Sequence, residues 1–371
     1  MTDTRATVNG TRLYAERFTG KSAEGHFRMA EVAGGLTLSS IGIGTYLGET
    51  DARTDAAYTE AVAAAVRCGV NVIDSAINYR MQRSERSIGA ALQQLFADGF
   101  AREELVICSK GGYLTPDGEL PANPREYFQR EYFDRGICTA RDIAGGAHCM
   151  TPRYLEDQLS RSLCNLGHEC VDVYYLHNAA ESQLGAVSRE EFHLRLRRAF
   201  EHLEGEVERG RIRYYGMATW NCFREDPRSQ EYESLERVVR IAASVAGAKH
   251  HFRFVQLPYN LGMPEALVKP NQKLGKEYVP MVKAAAELGV TLIASASLLQ
   301  SRLRSLPPFV RDALGQSSDL QNALQFVRSS PGITTALVGM SKLAHVEENL
   351  RLVGVAPADE SQFMRLFEKQ T

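Results

Sequence analysis

The chain has 371 residues, with 43 Lys plus Arg set against 45 Asp plus Glu and a formal net charge of −2. So even a balance gives no sign of the cationic surface that nucleic acid or an anionic bilayer demands, and makes a small molecule or a protein the expected partner. No stretch approaches the ~20 apolar residues of a membrane helix, the amino terminus carries no signal-peptide core, and the seven cysteines show no Cys-x-x-Cys spacing. These features lead us to expect a cytoplasmic protein whose thiols stay reduced, with no metal site.

Residues 1–26 are polar and aperiodic and read as an N-terminal arm. Segments 27–32 and 36–38 flank Gly34-Gly35, whose freedom at positive φ suits a tight turn, so a β-hairpin is predicted. From residue 40 onward, apolar strands alternate with amphipathic helices. The strands are read at 41–45, 70–75, 105–110, 171–177, 214–219, 252–258, 290–295 and 333–339. The helices are read at 55–68, 84–97, 152–166, 189–209, 229–246, 277–288, 319–328 and 343–350. Eight βα units in series predict an α/β fold, a (β/α)8 TIM barrel forming a single domain over 1–371. The hairpin is expected to plug one end of this barrel.

Two connections exceed an ordinary βα loop. Residues 112–150, inserted after the third barrel strand, carry Tyr113, Tyr127, Phe128, Tyr132 and Phe133. So long an aromatic insertion is expected to be ordered and to fold over the barrel mouth as a lid. The second, 260–276, could reach the same rim.

In such a barrel, chemistry sits at the carboxyl ends of the strands. Four residues stand there: Asp74 ends the apolar run Val70, Val72, Ile73; Tyr79 follows it by five; Lys110 ends LVICSK; His177 ends VDVYYLH. Each alone is more often a simple rim residue. A buried carboxylate wants a cationic partner, however, and Lys110 supplies one for Asp74. An ammonium beside Tyr79 would favour its phenolate and lower its pKa, and His177 could hydrogen-bond a substrate oxygen. Together the four form a proton-transfer set.

The stretch Asp-Ser-Ala-Ile-Asn-Tyr (74–79), with Ser84-Glu85 and Gly89-Ala90-Ala91-Leu92, resembles the catalytic signature of the aldo-keto reductases. VDVYYLHN (171–178), VQLPYN (255–260) and GMSKLAHVEENL (339–350) extend that resemblance in order and spacing over nearly the whole chain after residue 27. The resemblance implies reduction of an aldehyde or ketone, or the reverse oxidation, with Asp74, Tyr79, Lys110 and His177 as catalytic residues and Tyr79 as proton donor. It places Thr45 and Asp74 near a nicotinamide ribose, Gln256 at the carboxamide, and Asn178, Thr219, Ser295, Leu298 and Gln300 elsewhere along the cofactor. Ser341, Lys342 and His345 would meet the adenosine phosphate, and Glu348 with Asn349 the adenine. A helix amino terminus suits that phosphate.

Three positions depart from the family pattern. Ala218-Thr219 stands where a Ser-Asn pair is usual, Ser295 stands where an aromatic usually stacks on the nicotinamide, and His345 stands where arginine is common. The implied cofactor is NADP(H), with NAD(H) as the alternative. A rival Rossmann reading fails on spacing, because after Gly42 and Gly44 the next glycine, Gly48, comes one position too late. Metal hydrolysis has only His250-His251 to offer, and adjacent strand residues point to opposite faces. A catalytically idle, cofactor-binding regulatory barrel is the other reading.

Overall fold

The computed structural model describes residues 4–367 apart from 300, 301 and 304. A two-stranded antiparallel hairpin comes first, β1 (Phe27–Ala30) and β2 (Leu36–Ser39). The barrel strands are β3 (Ile41–Gly44), β4 (Val72–Asp74), β5 (Val106–Gly111), β6 (Val171–His177), β7 (Ile212–Ala218) and β8 (Phe252–Pro258). A second hairpin, β9 (Gln272–Leu274) and β10 (Glu277–Val279), precedes the last two barrel strands, β11 (Thr291–Ser295) and β12 (Ile333–Gly339). The eight parallel strands close in the order β3 to β8, then β11 and β12, which pairs back onto β3. This is the predicted (β/α)8 barrel.

Successive strand residues point to opposite faces, and the core divides accordingly. Val72, Val106, Cys108, Val173, Tyr175, Ala218, Phe254, Ile293 and Leu337 fill the barrel interior with hairpin residues Leu36 and Leu38. Their neighbours Ile73, Ile107, Tyr174, Leu176, Met217, Val255 and Leu292 pack outward against the helices. The hairpin thus plugs the amino-terminal mouth, as expected. The same alternation dictates the site. The next inward positions beyond the interior layer are Asp74, Lys110, His177, Gln256 and Ser295, all at the carboxyl ends of their strands. Gly216 is required where β7 shifts register against β8, since a Cβ there would lie 2.0 Å from the Phe254 carbonyl oxygen.

Four expectations need correction. The arm contains a helix, Val8–Glu16, capped by Thr7 and anchored by the buried Tyr14, whose hydroxyl donates to Val66 O at 2.6 Å. The helix expected at 277–288 begins only at Met281, because Pro280 starts it and Glu277–Val279 are drawn into the hairpin with β9. The helix expected from 229 begins at Leu235, where Ser234 caps it. His250 and His251 fall just before β8, and His251 Nδ1 pairs with Glu204 at 2.6 Å.

Candidate active site

Lys110 is wholly buried, and its ammonium donates to Asp74 Oδ2 at 2.5 Å and to the Ser75 carbonyl at 2.7 Å. The other Asp74 oxygen accepts from Gln256 Nε2 at 2.8 Å, so the buried carboxylate is satisfied on both sides. Lys110 Nζ stands 5.0 Å from the centre of the Tyr79 ring, and the Tyr79 and His177 rings meet edge to face at 5.7 Å. The four strand-end residues are therefore brought together.

Burial works against Lys110's charge, but the Asp74 carboxylate, followed by the neighbouring Tyr79 hydroxyl, outweighs it and holds the lysine above its usual pKa. Burial lifts Asp74 above the usual carboxylate value, against the pull of Lys110. It also raises Tyr79 despite the Lys110 ammonium, which reverses the lowering expected from the sequence. The tyrosine rests as a neutral phenol. Burial, and then Lys110 and His148, push His177 well below 6.5, so its imidazole is neutral as well.

The segment after Asp74 is pinned by Ser75 N to Cys108 O at 3.0 Å and Ile77 N to Lys110 O at 3.2 Å. Ser84 Oγ donates to Thr45 O at 2.7 Å, and buried Glu85 accepts from Ser109 Oγ at 2.5 Å, next to Lys110 in the chain. That explains why the motif continues into Ser84-Glu85. Between Tyr79 and this helix, Arg80, Met81 and Gln82 all adopt positive φ (48°, 54° and 73°). Asn178, Ala296 and Leu299 do so too, and all six such non-glycine residues among those described lie in loops at the strand carboxyl ends. Strain of this kind, about 1–3 kcal/mol per residue, persists only where surroundings enforce it. Here buried Arg80 donates to Glu49 O at 2.7 Å and Asp55 at 2.6 Å.

These groups floor an open cleft with about 920 Å³ of empty space, its solvent-filled mouth included. Thr45, Asp74, Asn178, Thr219, Gln256, Ser295 and Leu298, all expected at a cofactor, line it with Tyr79 and His177. Gln300 lies outside the described residues. Thr219 and Ser297, which line the cleft, carry buried hydroxyls with no hydrogen-bond partner among the described residues. Gly44 and Gly339 also line it, and a Cβ on either would meet no protein atom closer than 3.9 Å. Space and unpartnered polar atoms of this kind fit an extended polar cofactor.

Ser341, Lys342, His345, Glu348 and Asn349 stand apart from the cleft lining, at and along the helix Leu343–Leu350 that follows β12. Glu348 accepts from Ser318 Oγ at 3.2 Å, and buried Asn349 Oδ1 has no hydrogen-bond partner among the described residues. No residue of 112–150 lines the cleft. The insertion forms its own apolar cluster, with Tyr132, Ile137, Cys138 and Cys149 packed on Tyr154. It touches the site through the Tyr113 ring, 5.1 Å from His177, and through His148. Segment 260–276 likewise lies off the cleft, tied by Asn271 and Gln272 to Phe223 O at 3.0 Å.

Sequence reasoning missed four neighbours. Exposed Tyr46 meets the Tyr79 ring at 4.9 Å, and Trp220 walls the cleft, its backbone N–H held by Glu181 Oε1 at 2.8 Å. Asn78 and His148 both touch His177. Asn78 lies inside the recognised motif and could have been singled out there, whereas nothing local marks His148.

The closed parallel barrel brings a lysine–aspartate pair, a neutral phenol and a neutral imidazole to one cleft. Residues 40–306 match the aldo/keto reductase family, and the chain belongs to it. It is similar to the NADH-specific methylglyoxal reductase of Escherichia coli (strain K12), at 26% identity over 153 residues, 38% of this chain. The match spans 39% of that reductase's length. It is also similar to the uncharacterized oxidoreductase YqkF of Bacillus subtilis (strain 168), at 20% identity over 81% of this chain and 84% of that one. Among solved structures, an aldo/keto reductase from Klebsiella pneumoniae in complex with NADP and acetate shares the fold with a TM-score of 0.60, at 18% identity. That likeness covers 94% of this chain and 97% of the other. The holo form of aldo-keto reductase AKR11C1 from Bacillus halodurans gives a TM-score of 0.59 at 18% identity, over 90% and 92%. Among the described residues, no helix is long and apolar enough to cross a membrane.

Proposed function

We propose that this protein reduces an aldehyde or ketone to an alcohol with a nicotinamide cofactor, NADP(H) in preference to NAD(H), and that Tyr79 is the proton donor. The observation that carries this reading is the Asp74–Lys110 pair beside a neutral Tyr79, at the floor of a cleft lined by Thr219 and Ser297, whose hydroxyls have no partner among the described residues. When bound, the reduced nicotinamide supplies the hydride.

The protein's part follows from charge. As negative charge grows on the carbonyl oxygen, the Tyr79 phenol gives up its proton, and the tyrosinate left behind faces the Lys110 ammonium. Asp74 keeps that ammonium charged and in place, while His177 contacts the substrate beside the tyrosine. The buried surroundings make each charge interaction stronger than in water. The preference for NADP(H) rests on Lys342 at the start of the last barrel helix and on the NADP-bound Klebsiella pneumoniae neighbour. The NADH-specific Escherichia coli relative supplies the contrary case.

The test is consumption of NADPH and of NADH with a panel of aldehydes and ketones, using cofactor deuterated at the transferable position. Carbonyl-dependent oxidation with deuterium recovered on the alcohol carbon supports the reading. Cofactor binding with no transfer to any carbonyl overturns it in favour of an idle barrel.

A further inference from the structure

Of the seven cysteines, two share one small apolar cluster in the insertion. Cys138 and Cys149 pack there with Tyr132, Ile137 and Tyr154, off the cleft lining. One side of the cluster is fastened to the barrel end. The Tyr132 hydroxyl donates to Thr115 O at 2.9 Å, the Tyr154 hydroxyl to Tyr113 O at 2.8 Å, and Cys149 N to Gly112 O at 2.8 Å. Cys138 comes from the outer side, where Ile137 N bonds to Tyr132 O at 2.8 Å just after Gly136 turns at a φ of 60°.

The two thiols share a hydrogen bond, with Cys138 as donor and Cys149 as acceptor. That bond, and then burial, lifts the Cys138 thiol well above its usual range. The same bond lowers the Cys149 thiol, against burial and the Asp142 carboxylate and with help from Thr151, whose hydroxyl oxygen lies 3.4 Å from Cys149 Sγ. The other buried cysteines, Cys108, Cys170 and Cys222, stand singly, and burial pushes each of them up. Thiolate character at one sulfur with a second sulfur in contact is what an attacking and a resolving cysteine need. The segment between them, 139–147, is largely exposed and turns at Gly145 and Gly146, so local opening can admit a small oxidant.

We infer that Cys138 and Cys149 are a redox-modification site, a dithiol that hydrogen peroxide closes to a disulfide, latching the outer loop of the insertion to the segment that carries His148. The Cys149 thiolate attacks one peroxide oxygen, breaks the O–O bond and becomes a sulfenic acid, and the hydroxide released takes up a proton. The Cys138 sulfur then attacks that sulfur, forming the S–S bond and expelling a second hydroxide, which leaves as water with the Cys138 proton. Two thiols are oxidised to one disulfide, and one peroxide is reduced to two waters. Because Cys149 is tied to Gly112, Cys138 makes the approach to the S–S bond length of about 2.05 Å. No step passes through Tyr79, Lys110 or Asp74, so the inference stands apart from the reductase reading.

The test treats the folded wild-type protein with hydrogen peroxide, alkylates the remaining thiols after denaturation, and maps the peptides by mass spectrometry without reduction. A peptide pair joined through Cys138 and Cys149 is expected, with Cys68, Cys108, Cys164, Cys170 and Cys222 still alkylated, and dithiothreitol should restore the two lost thiols. Trypsin cutting at exposed Arg141 should leave the two parts of the oxidised chain joined until dithiothreitol is added. In Cys138→Ser, which keeps a donor but removes the second sulfur, dimedone should label Cys149 after peroxide treatment. Free thiols at both positions after oxidation, a disulfide to any other cysteine, or a sulfinic acid accumulating on Cys149 in the wild type would overturn the inference. An unlabelled Cys149 in Cys138→Ser would overturn its part as the attacking thiol.

Discussion

Two ends of the site differ in how finished they are. At the strand ends, Lys110 is inaccessible to solvent, Asp74 is satisfied on both oxygens, and the loop between them is pinned by main-chain hydrogen bonds. At the last barrel helix, Lys342 and His345 are exposed, and Asn349 Oδ1 has no hydrogen-bond partner among the described residues. The difference teaches that the proposed catalytic groups are organised before any ligand arrives, while the proposed adenosine end is completed by the ligand itself. Preorganised charge is the larger source of rate, and exposed charge is screened by solvent and salt.

That contrast can be broken by substitution, and the steepest response belongs to the closed end. Lys110→Met leaves Asp74 buried without its cation, and breaking a buried pair in this way costs about 3–5 kcal/mol. Denaturant unfolding should show a loss of that order together with loss of turnover. A stable Lys110→Met protein would mean that the pair is not the keystone of the strand ends.

An intermediate response is expected within the cleft. Thr219→Val keeps the shape and removes the unpartnered hydroxyl, so it should weaken cofactor binding about three- to tenfold, one ordinary hydrogen bond, without changing stability. Calorimetric titration with NADPH checks it, and unchanged affinity would show that the hydroxyl faces no ligand. The smallest response belongs to the open end. Lys342→Ala should weaken NADPH by only a few-fold, leave NADH nearly unaltered, and lose its effect as salt rises. Equal losses for both cofactors would remove Lys342 from the phosphate.

Much of this contrast was legible in the sequence, for a physical reason. A barrel strand buried on both faces appears as a mostly apolar run. Segments 171–177, 252–258 and 333–339 therefore coincide with β6, β8 and β12. The helix Val8–Glu16 did not show itself, because Gly10 and the polar residues around it hide its period. It is specified instead by Tyr14 and by close approach to Glu103, where a Cβ on Gly10 would lie 2.3 Å from the carbonyl oxygen. The left-handed run Arg80-Met81-Gln82 was equally invisible, since nothing in those side chains asks for positive φ. The contact of His148 with His177 joins residues 29 apart through a long insertion, beyond any local spacing. The direction of the Tyr79 pKa was misjudged because spacing reveals a neighbouring charge but not the depth of burial.

The central claim is that Tyr79 delivers the proton. Removing only its hydroxyl in Tyr79→Phe should leave the fold and cofactor affinity unchanged. In a single turnover with bound NADPH and a reactive aldehyde, the decay of reduced nicotinamide should slow by about 10²- to 10⁴-fold. In the wild type, the raised Tyr79 and depressed His177 should keep that decay level between about pH 6 and 9, falling only as the phenol ionises above its ordinary value near 10. A Tyr79→Phe enzyme with near-normal decay and the same pH profile would contradict the account and move the proton donor to another group in the cleft.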